Sequence, residues 1–210
     1  MKLLELFAGT QSVGKVAREL GLEVVSLDRD MPADIQGDIM DWDYTTLPKK
    51  HFDIILASPP CTEYSRAKTV GVRDLEGANL IVQRTLDIIE YFEPRYWMIE
   101  NPQTGLLKDQ LCMYGLPFVD VDYCRYGMLY RKRTRIWNNV FQWVAEPLCC
   151  KDCWAMNACG TRHREVAQRG PSEGYTVEER REQRRFKQAE LHVVPDPLIR
   201  QLLNAILNSN

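Results

Sequence analysis

The sequence predicts an α/β fold: a doubly wound, mostly parallel sheet carrying a small C-terminal lobe. Three observations lead there. Short apolar runs recur at residues 3–7, 24–27, 53–57 and 96–99. The stretches 12–20 and 79–92 space their apolar residues at helical intervals instead. Every run also ends in a glycine, a carboxylate or a proline, where a buried strand has to stop.

In order, residues 3–7 form a strand that closes at Ala8 and Gly9, and Ser12 opens a helix through Val13, Val16, Ala17 and Leu20 that ends at Gly21. Residues 24–27 make a second strand ending in Asp28, and residues 53–57 a third, ending at Ser58, Pro59 and Pro60. A helix over 79–92 places Leu80, Ile81, Leu86 and Ile89 in register, and the strand at 96–99 after it delivers Glu100. In an open sheet of this kind ligands collect beyond the carboxyl ends of the strands, so Gly9, Asp28, Ser58 to Cys61 and Glu100 share one rim. Residues 118–123 read as another strand, and Arg131, Lys132, Arg133 and Arg135 then crowd around Ile136 and Trp137. Apolar periodicity lapses over 144–190 and returns over 198–207, a helix expected to pack back on the sheet.

At 210 residues and 45% apolar composition the chain can bury one sizeable core. Its net charge of −2 hides an asymmetry. Acidic residues outnumber basic ones before residue 125 and basic ones prevail after it, so a surface for a polyanionic partner belongs to the C-terminal part. No stretch has the roughly 20 apolar residues of a spanning helix, and the N-terminus lacks a signal-peptide pattern, which predicts an intracellular protein with no membrane partner. Seven cysteines, four of them between 149 and 159, suit free thiols or metal ligands in a reducing compartment better than a disulfide framework.

Cys61 follows two prolines, which fix the backbone and hold its thiol on a stiff loop. Alone, the tripeptide fits a core cysteine better, since most free cysteines are inert core residues. The turn after the first strand precedes a helix N-terminus suited to a polar ligand. Asp28, near 20 residues onward, stands where a carboxylate binds ribose hydroxyls. Together these suggest an adenosine-type cofactor, although Thr10, Gln11, Ser12 and Val13 are too poor in glycine for a dinucleotide fingerprint.

The order of these motifs resembles the cytosine C5 DNA methyltransferase family, in a compact form with a reduced target-recognition lobe. Phe7, Ala8 and Gly9 match its cofactor turn, Gly37, Asp38 and Ile39 the segment whose aspartate meets adenine, and Pro59 to Ser65 its nucleophile loop. Glu100, Asn101 and Pro102 match its catalytic glutamate segment, Arg133, Thr134 and Arg135 its arginine pair, and Val194 to Leu198 the start of its last helix. The chain departs from the family at Gln11 and Ser58, where glycine is common, at Thr62 and Arg131, where glutamine is usual, and at Leu191 and His192, which replace a Gly-Asn pair.

The resemblance implies a Rossmann-like methyltransferase fold, with a catalytic S-adenosylmethionine-binding domain over 1–140, a basic Cys-rich recognition lobe over 141–190 and a returning helix over 191–210. It implies cofactor contacts from Phe7, Ala8, Gly9, Thr10, Asp28, Asp38, Ile39 and Pro59. It assigns catalysis to Cys61, which adds to C6 of a flipped cytosine, to Glu100, which holds N3, and to Arg133 and Arg135, which hold O2 and place the Cys61 loop. The partner is cytosine-containing DNA, the protein is expected to be a monomer, and its setting is the cytoplasm or nucleoid, or the host cell of a phage or virus, with restriction-modification as one context. A cytosine C5 methyltransferase of RNA or free nucleotides, and a non-catalytic nucleic-acid-binding protein on the same fold, are the competing readings.

In the lobe, Arg162, Arg164, Arg169, Arg180, Arg181, Arg184, Arg185 and Lys187 are available for phosphates, or form a solvated helix face with Glu178, Glu179 and Glu182. Cys150, Cys153, Cys159 and His163 have the spacing of a structural zinc site, with Cys149 as a substitute ligand; incidental cysteines are the rival reading. Cys112 and Cys124 belong to no motif and read as core, and His51 and His192 read as structural.

Overall fold

The computed structural model describes residues 1–167, 176–182 and 186–209. Seven strands form one sheet in the order β3-β2-β1-β4-β5-β7-β6. The parallel part comprises β1 (Lys2–Leu6), β2 (Glu23–Asp28), β3 (Ile35–Gln36), β4 (Ile54–Ala57) and β5 (Tyr96–Pro102). β6 (Phe118–Asp122) and β7 (Arg133–Asn138) pair antiparallel, and β7 inserts between β6 and β5. The short β3 carries no sequence signal, because two residues are too few for a period.

Both faces of the sheet are covered, which is why its central strands are continuously apolar rather than alternating. On one face Leu3, Ile54, Leu56 and Met98 pack under α1 (Ser12–Glu19) and α5 (Asp196–Leu207), through Val13 and Val16 of the first helix and Leu198, Ile199, Leu202 and Ile206 of the second. On the other face Leu4, Leu6, Ile55 and Ala57 pack under α2 (Leu75–Phe92) through Ala78, Val82, Ile88 and Phe92. α2 starts four residues before the apolar spacing does, because the Asp74 side chain accepts the Gly77 N–H at 2.8 Å and caps the first turn. α5 returns to the sheet as the apolar spacing predicts, and an Arg200–Glu19 ion pair joins it to α1.

Among the described residues of 176–192, α3 (Val177–Glu182) and α4 (Gln188–His192) are helical. Among the described residues no helix is long and apolar enough to cross a membrane.

The strand order runs outward in both directions from β1 and β4. The connection after β1 leads to α1 on one face and that after β4 to α2 on the other, so they part at the carboxyl ends of these strands and leave a crevice, the usual ligand position in such sheets.

Candidate active site

A cavity of about 370 Å³ opens at that crevice. Phe7, Ala8, Gly9, Thr10, Asp28, Asp38, Ile39 and Pro59 line it, and so do Cys61 and Glu100. The residues expected for the cofactor and two of those expected for catalysis thus share one space.

The half of the cavity expected for the cofactor is built from the turn after β1. Phe7 and Gln11 have positive φ (61° and 55°), a backbone region that costs a residue with a side chain roughly 1–2 kcal/mol. Gln11, standing where the resembling family has glycine, is held there by bonds from its amide to Pro32 O (2.9 Å) and from Arg18 to its Oε1 (3.0 Å). Gly14 shows the opposite need: a Cβ there would lie 2.5 Å from Glu5 Oε2, which instead accepts the Gly14 N–H at 3.0 Å. Burial raises the Glu5 carboxyl to a pKa of about 7, against the pull of that N–H and the one from Val13.

Asp28 organises the next loop. Its Oδ2 accepts the Gly9 N–H at 2.7 Å, and its Oδ1 accepts those of Asp30 (2.8 Å) and Met31 (2.7 Å). Asp38 accepts the Met40 N–H and sits 3.6 Å from the Arg29 guanidinium.

The half expected for catalysis joins the ends of β4, β5 and β6. Cys61 follows β4 on a loop that Asn101 ties to β5, its Nδ2 donating to Pro59 O at 2.9 Å. Burial pushes the Cys61 thiol above its ordinary value, the nearby Lys132 ammonium pulls it down, and the Glu100 carboxylate pushes it up. Glu100 is 8% exposed, and its Oε1 accepts the Tyr123 hydroxyl at 3.0 Å. Lys132 Nζ lies 3.9 Å from the same oxygen and donates to Leu191 O at 2.9 Å. Asn101 Oδ1 is buried with no hydrogen-bond partner among the described residues.

Arg133 and Arg135 do not line this cavity. Each grips an aspartate directly across the β6–β7 ladder: Arg133 holds Asp122 at 3.0 and 2.7 Å, and Arg135 holds Asp120 at 2.7 and 2.9 Å. Side chains alternate along a strand, so two residues of equal parity share one face. Lys132, of opposite parity, lines the cavity in their place. Sequence reasoning assigns no role to Lys132 or Tyr123, and it reads His192 as structural although that residue lines the cavity too. The strand period does carry a signal for Lys132, since Asp120 and Asp122 match Arg135 and Arg133 in spacing and leave the lysine for the other face.

The cysteine cluster also differs from expectation. Cys124, Cys149, Cys153 and His163 bring their ligand atoms within 4.8 Å of one another. Cys150 and Cys159 lie outside this group. Lys151 turns the chain at φ 67° and leaves Cys150 exposed, its thiol directed at Leu148 O. Cys159 is exposed on the 157–161 turn, with its sulfur contacting Asn157 and Thr161. The substitute ligand, Cys149, belongs to the cluster, and Cys124 joins from a turn remote in sequence.

Arg162, Arg164, Arg180, Arg181 and Lys187 are exposed. Arg169, Arg184 and Arg185 lie outside the described residues.

Residues 1–110 match the family described as C-5 cytosine-specific DNA methylase. The chain is 34% identical over 189 residues to the "Probable DNA (cytosine-5)-methyltransferase" of Frog virus 3 (isolate Goorha), covering 83% of this chain and 82% of the viral protein. Its fold resembles the crystal structure of a protein described as a DNA modification methyltransferase encoded within an E. coli prophage, with TM-score 0.52 and 14% identity. That likeness covers 71% of this chain and 52% of the prophage protein, so the chain spans about half the length of that structure. The chain belongs to the C-5 cytosine-specific DNA methylase family.

Proposed function

We propose that this chain transfers a methyl group from S-adenosylmethionine to C5 of cytosine in DNA. The observation that carries the reading is the single cavity holding Cys61, Glu100 and Lys132 beside the turn and carboxylates of Phe7 to Gly9, Asp28 and Asp38. The donor set suits the cofactor. Asp28 Oδ2 accepts one N–H and retains capacity for a ribose hydroxyl, and Asp38 offers an acceptor for an adenine amine. When bound, S-adenosylmethionine supplies an electrophilic methyl group on a sulfonium.

C5 of cytosine is a weak nucleophile. The Cys61 thiolate bonds to C6, the C5–C6 π pair is released toward C5 and N3, and the ring becomes an enamine at C5. Glu100 holds N3 and the exocyclic amine, with its own orientation fixed by Tyr123. Lys132 is the cation that favours the thiolate and offsets charge gathering on the ring. Once C5 carries the methyl group, its proton leaves to a base and the C6–S bond breaks, restoring the double bond and the thiolate.

A base inside a duplex cannot reach Cys61, so the target leaves the stack. The exposed Arg162, Arg164, Arg180, Arg181 and Lys187 supply phosphate contacts around it. The viral relative supports action inside an infected host cell.

Trapping tests the reading. DNA containing 5-fluorocytosine, incubated with the protein and S-adenosylmethionine, is expected to form a covalent complex that survives denaturation and is absent with Cys61→Ser. No adduct on any cytosine-containing duplex, together with no new 5-methylcytosine by bisulfite sequencing of DNA from expressing cells, refutes it.

A further inference from the structure

We propose that Cys124, Cys149, Cys153 and His163 hold one structural zinc ion, which staples the C-terminal lobe to the catalytic sheet. Cys149 Sγ lies 3.5 Å and Cys153 Sγ 3.4 Å from His163 Nε2. A tetrahedral ion with Zn–S near 2.3 Å and Zn–N near 2.0–2.1 Å separates sulfur from nitrogen by about 3.6 Å and sulfur from sulfur by about 3.8 Å. The two sulfur–nitrogen separations match that spacing, all four ligand atoms lie within 4.8 Å of one another, and all seven cysteines are free thiols rather than disulfides.

The ligands come from three places in the chain. Cys124 sits on the 3-10 turn Tyr123–Tyr126 after β6, Cys149 and Cys153 flank a tight turn, and His163 lies on a small hairpin. The hairpin is held by Asn157 N to Arg162 O at 2.8 Å and Arg164 N to Ala155 O at 2.9 Å. Ala155 is buried with the three cysteines, and among the described residues Leu129 and Met156 are the partly buried apolar side chains packed against them. So small an apolar cluster is a weak reason for these segments to fold together, and a metal supplies the missing cohesion.

Hydrogen bonds outside the cluster fix the turn that carries two of the ligands. Asp122 accepts the Cys149 N–H at 2.9 Å, and Asp152 accepts the Cys150 N–H at 3.1 Å and is in turn held by Arg125 at 2.6 and 2.8 Å. Such outer contacts orient the ligands of metal sites. Three sulfurs and an imidazole select zinc over magnesium or calcium, and four protein ligands leave no open position, as in structural rather than catalytic sites.

The test uses the full chain purified under reducing, chelator-free conditions. Elemental analysis is expected to find about one zinc per chain. The double variant Cys150→Ser/Cys159→Ser should keep that zinc, whereas Cys153→Ser and Cys124→Ser should each lose most of it. Should the ligand variants fail to fold, the wild-type protein decides: X-ray absorption at the zinc edge should fit three sulfurs and one nitrogen, and cobalt exchanged into the site should show the intense visible bands of a tetrahedral thiolate complex. Roughly a tenth of an equivalent or less, even after zinc is added to reduced protein, overturns the proposal. So does loss of zinc from the Cys150→Ser/Cys159→Ser variant, or an oxygen-rich shell around the metal. None of these readouts depends on methyl transfer, so the proposal and the proposed activity fail separately.

Discussion

Replacing Lys132 by methionine removes the cation beside Glu100 while keeping most of the side chain's bulk. Lys132 Nζ lies 3.9 Å from Glu100 Oε1. A hydrogen bond from that carboxyl to N3 adds about 3 Å, so the charge that builds on the ring lies about 7 Å from the ammonium. At an effective dielectric constant of about 20, that separation is worth about 2 kcal/mol, or about 30-fold in rate. The assay is the single-turnover rate of covalent trapping on 5-fluorocytosine DNA, followed from neutral to alkaline pH. The ammonium pulls the Cys61 thiol down, so its removal raises the thiol pKa further above the ordinary value that burial already exceeds. The pH–rate profile of Lys132→Met should therefore move to higher pH, with the deficit shrinking as pH rises. An unchanged rate and profile in Lys132→Met, with Arg135→Ala abolishing trapping in a protein of wild-type stability, refutes the reasoning and returns the role to the arginine pair.

Tyr123→Phe removes the buried hydroxyl that Glu100 accepts, a loss of about 0.5–1.5 kcal/mol for a typical hydrogen bond, and should slow trapping by roughly 2- to 10-fold. Arg133→Ala leaves the fully buried Asp122 carboxylate without its clamp, and denaturant unfolding should report a loss of about 3 kcal/mol, the lower end for a broken buried pair because Arg133 itself is 30% exposed. Glu5→Gln tests the buried carboxyl: its pKa of about 7 against 4.5 unfolded means that the folded state binds the proton more tightly. Its stabilisation is complete below pH 4.5 and is lost as pH rises to about 7, a span of about 3 kcal/mol. Urea unfolding across that window should show the decline in the wild-type protein and a flatter curve in Glu5→Gln.

The parallel half of the fold is legible because burial on both faces writes each strand as an apolar run with a polar end. Leu3 to Leu6 and Ile54 to Ala57 are buried without interruption. Their shared rim follows from topology, and the cavity does gather Gly9, Asp28, Cys61 and Glu100. The antiparallel edge is harder to read. Motif likeness identifies Arg133 and Arg135 by type and spacing, but which face of β7 they occupy depends on Asp120 and Asp122 lying opposite them, a cross-strand fact. The cysteine cluster escapes for a similar reason. Spacing favours Cys150 and Cys159, while Cys124 is brought in by the β6 turn from 25 residues upstream of Cys149, farther than local spacing can reveal.

These two features meet in one short segment. Asp122 accepts both Arg133 and the Cys149 N–H, which lies 2.9 Å away. Tyr123 orients Glu100, and Cys124 belongs to the thiol cluster. Three consecutive residues therefore link the sheet edge, the Glu100 carboxyl and the cysteine cluster. Because each of the three residues is bound to a different part of the molecule, a shift of this segment cannot relieve one contact without disturbing another. On the proposed mechanism the arginine pair acts through position: by holding β6 against β7 it sets where Tyr123 stands, and hence where Glu100 would meet the target base. On this reasoning Arg133→Ala should slow trapping in proportion to displacement of the Tyr123–Glu100 contact, and Tyr123→Phe should remove most of that dependence. A double-mutant cycle on the trapping rate measures the coupling. Fully additive effects of Arg133→Ala and Tyr123→Phe would show that the arginine acts on the reaction by a separate route.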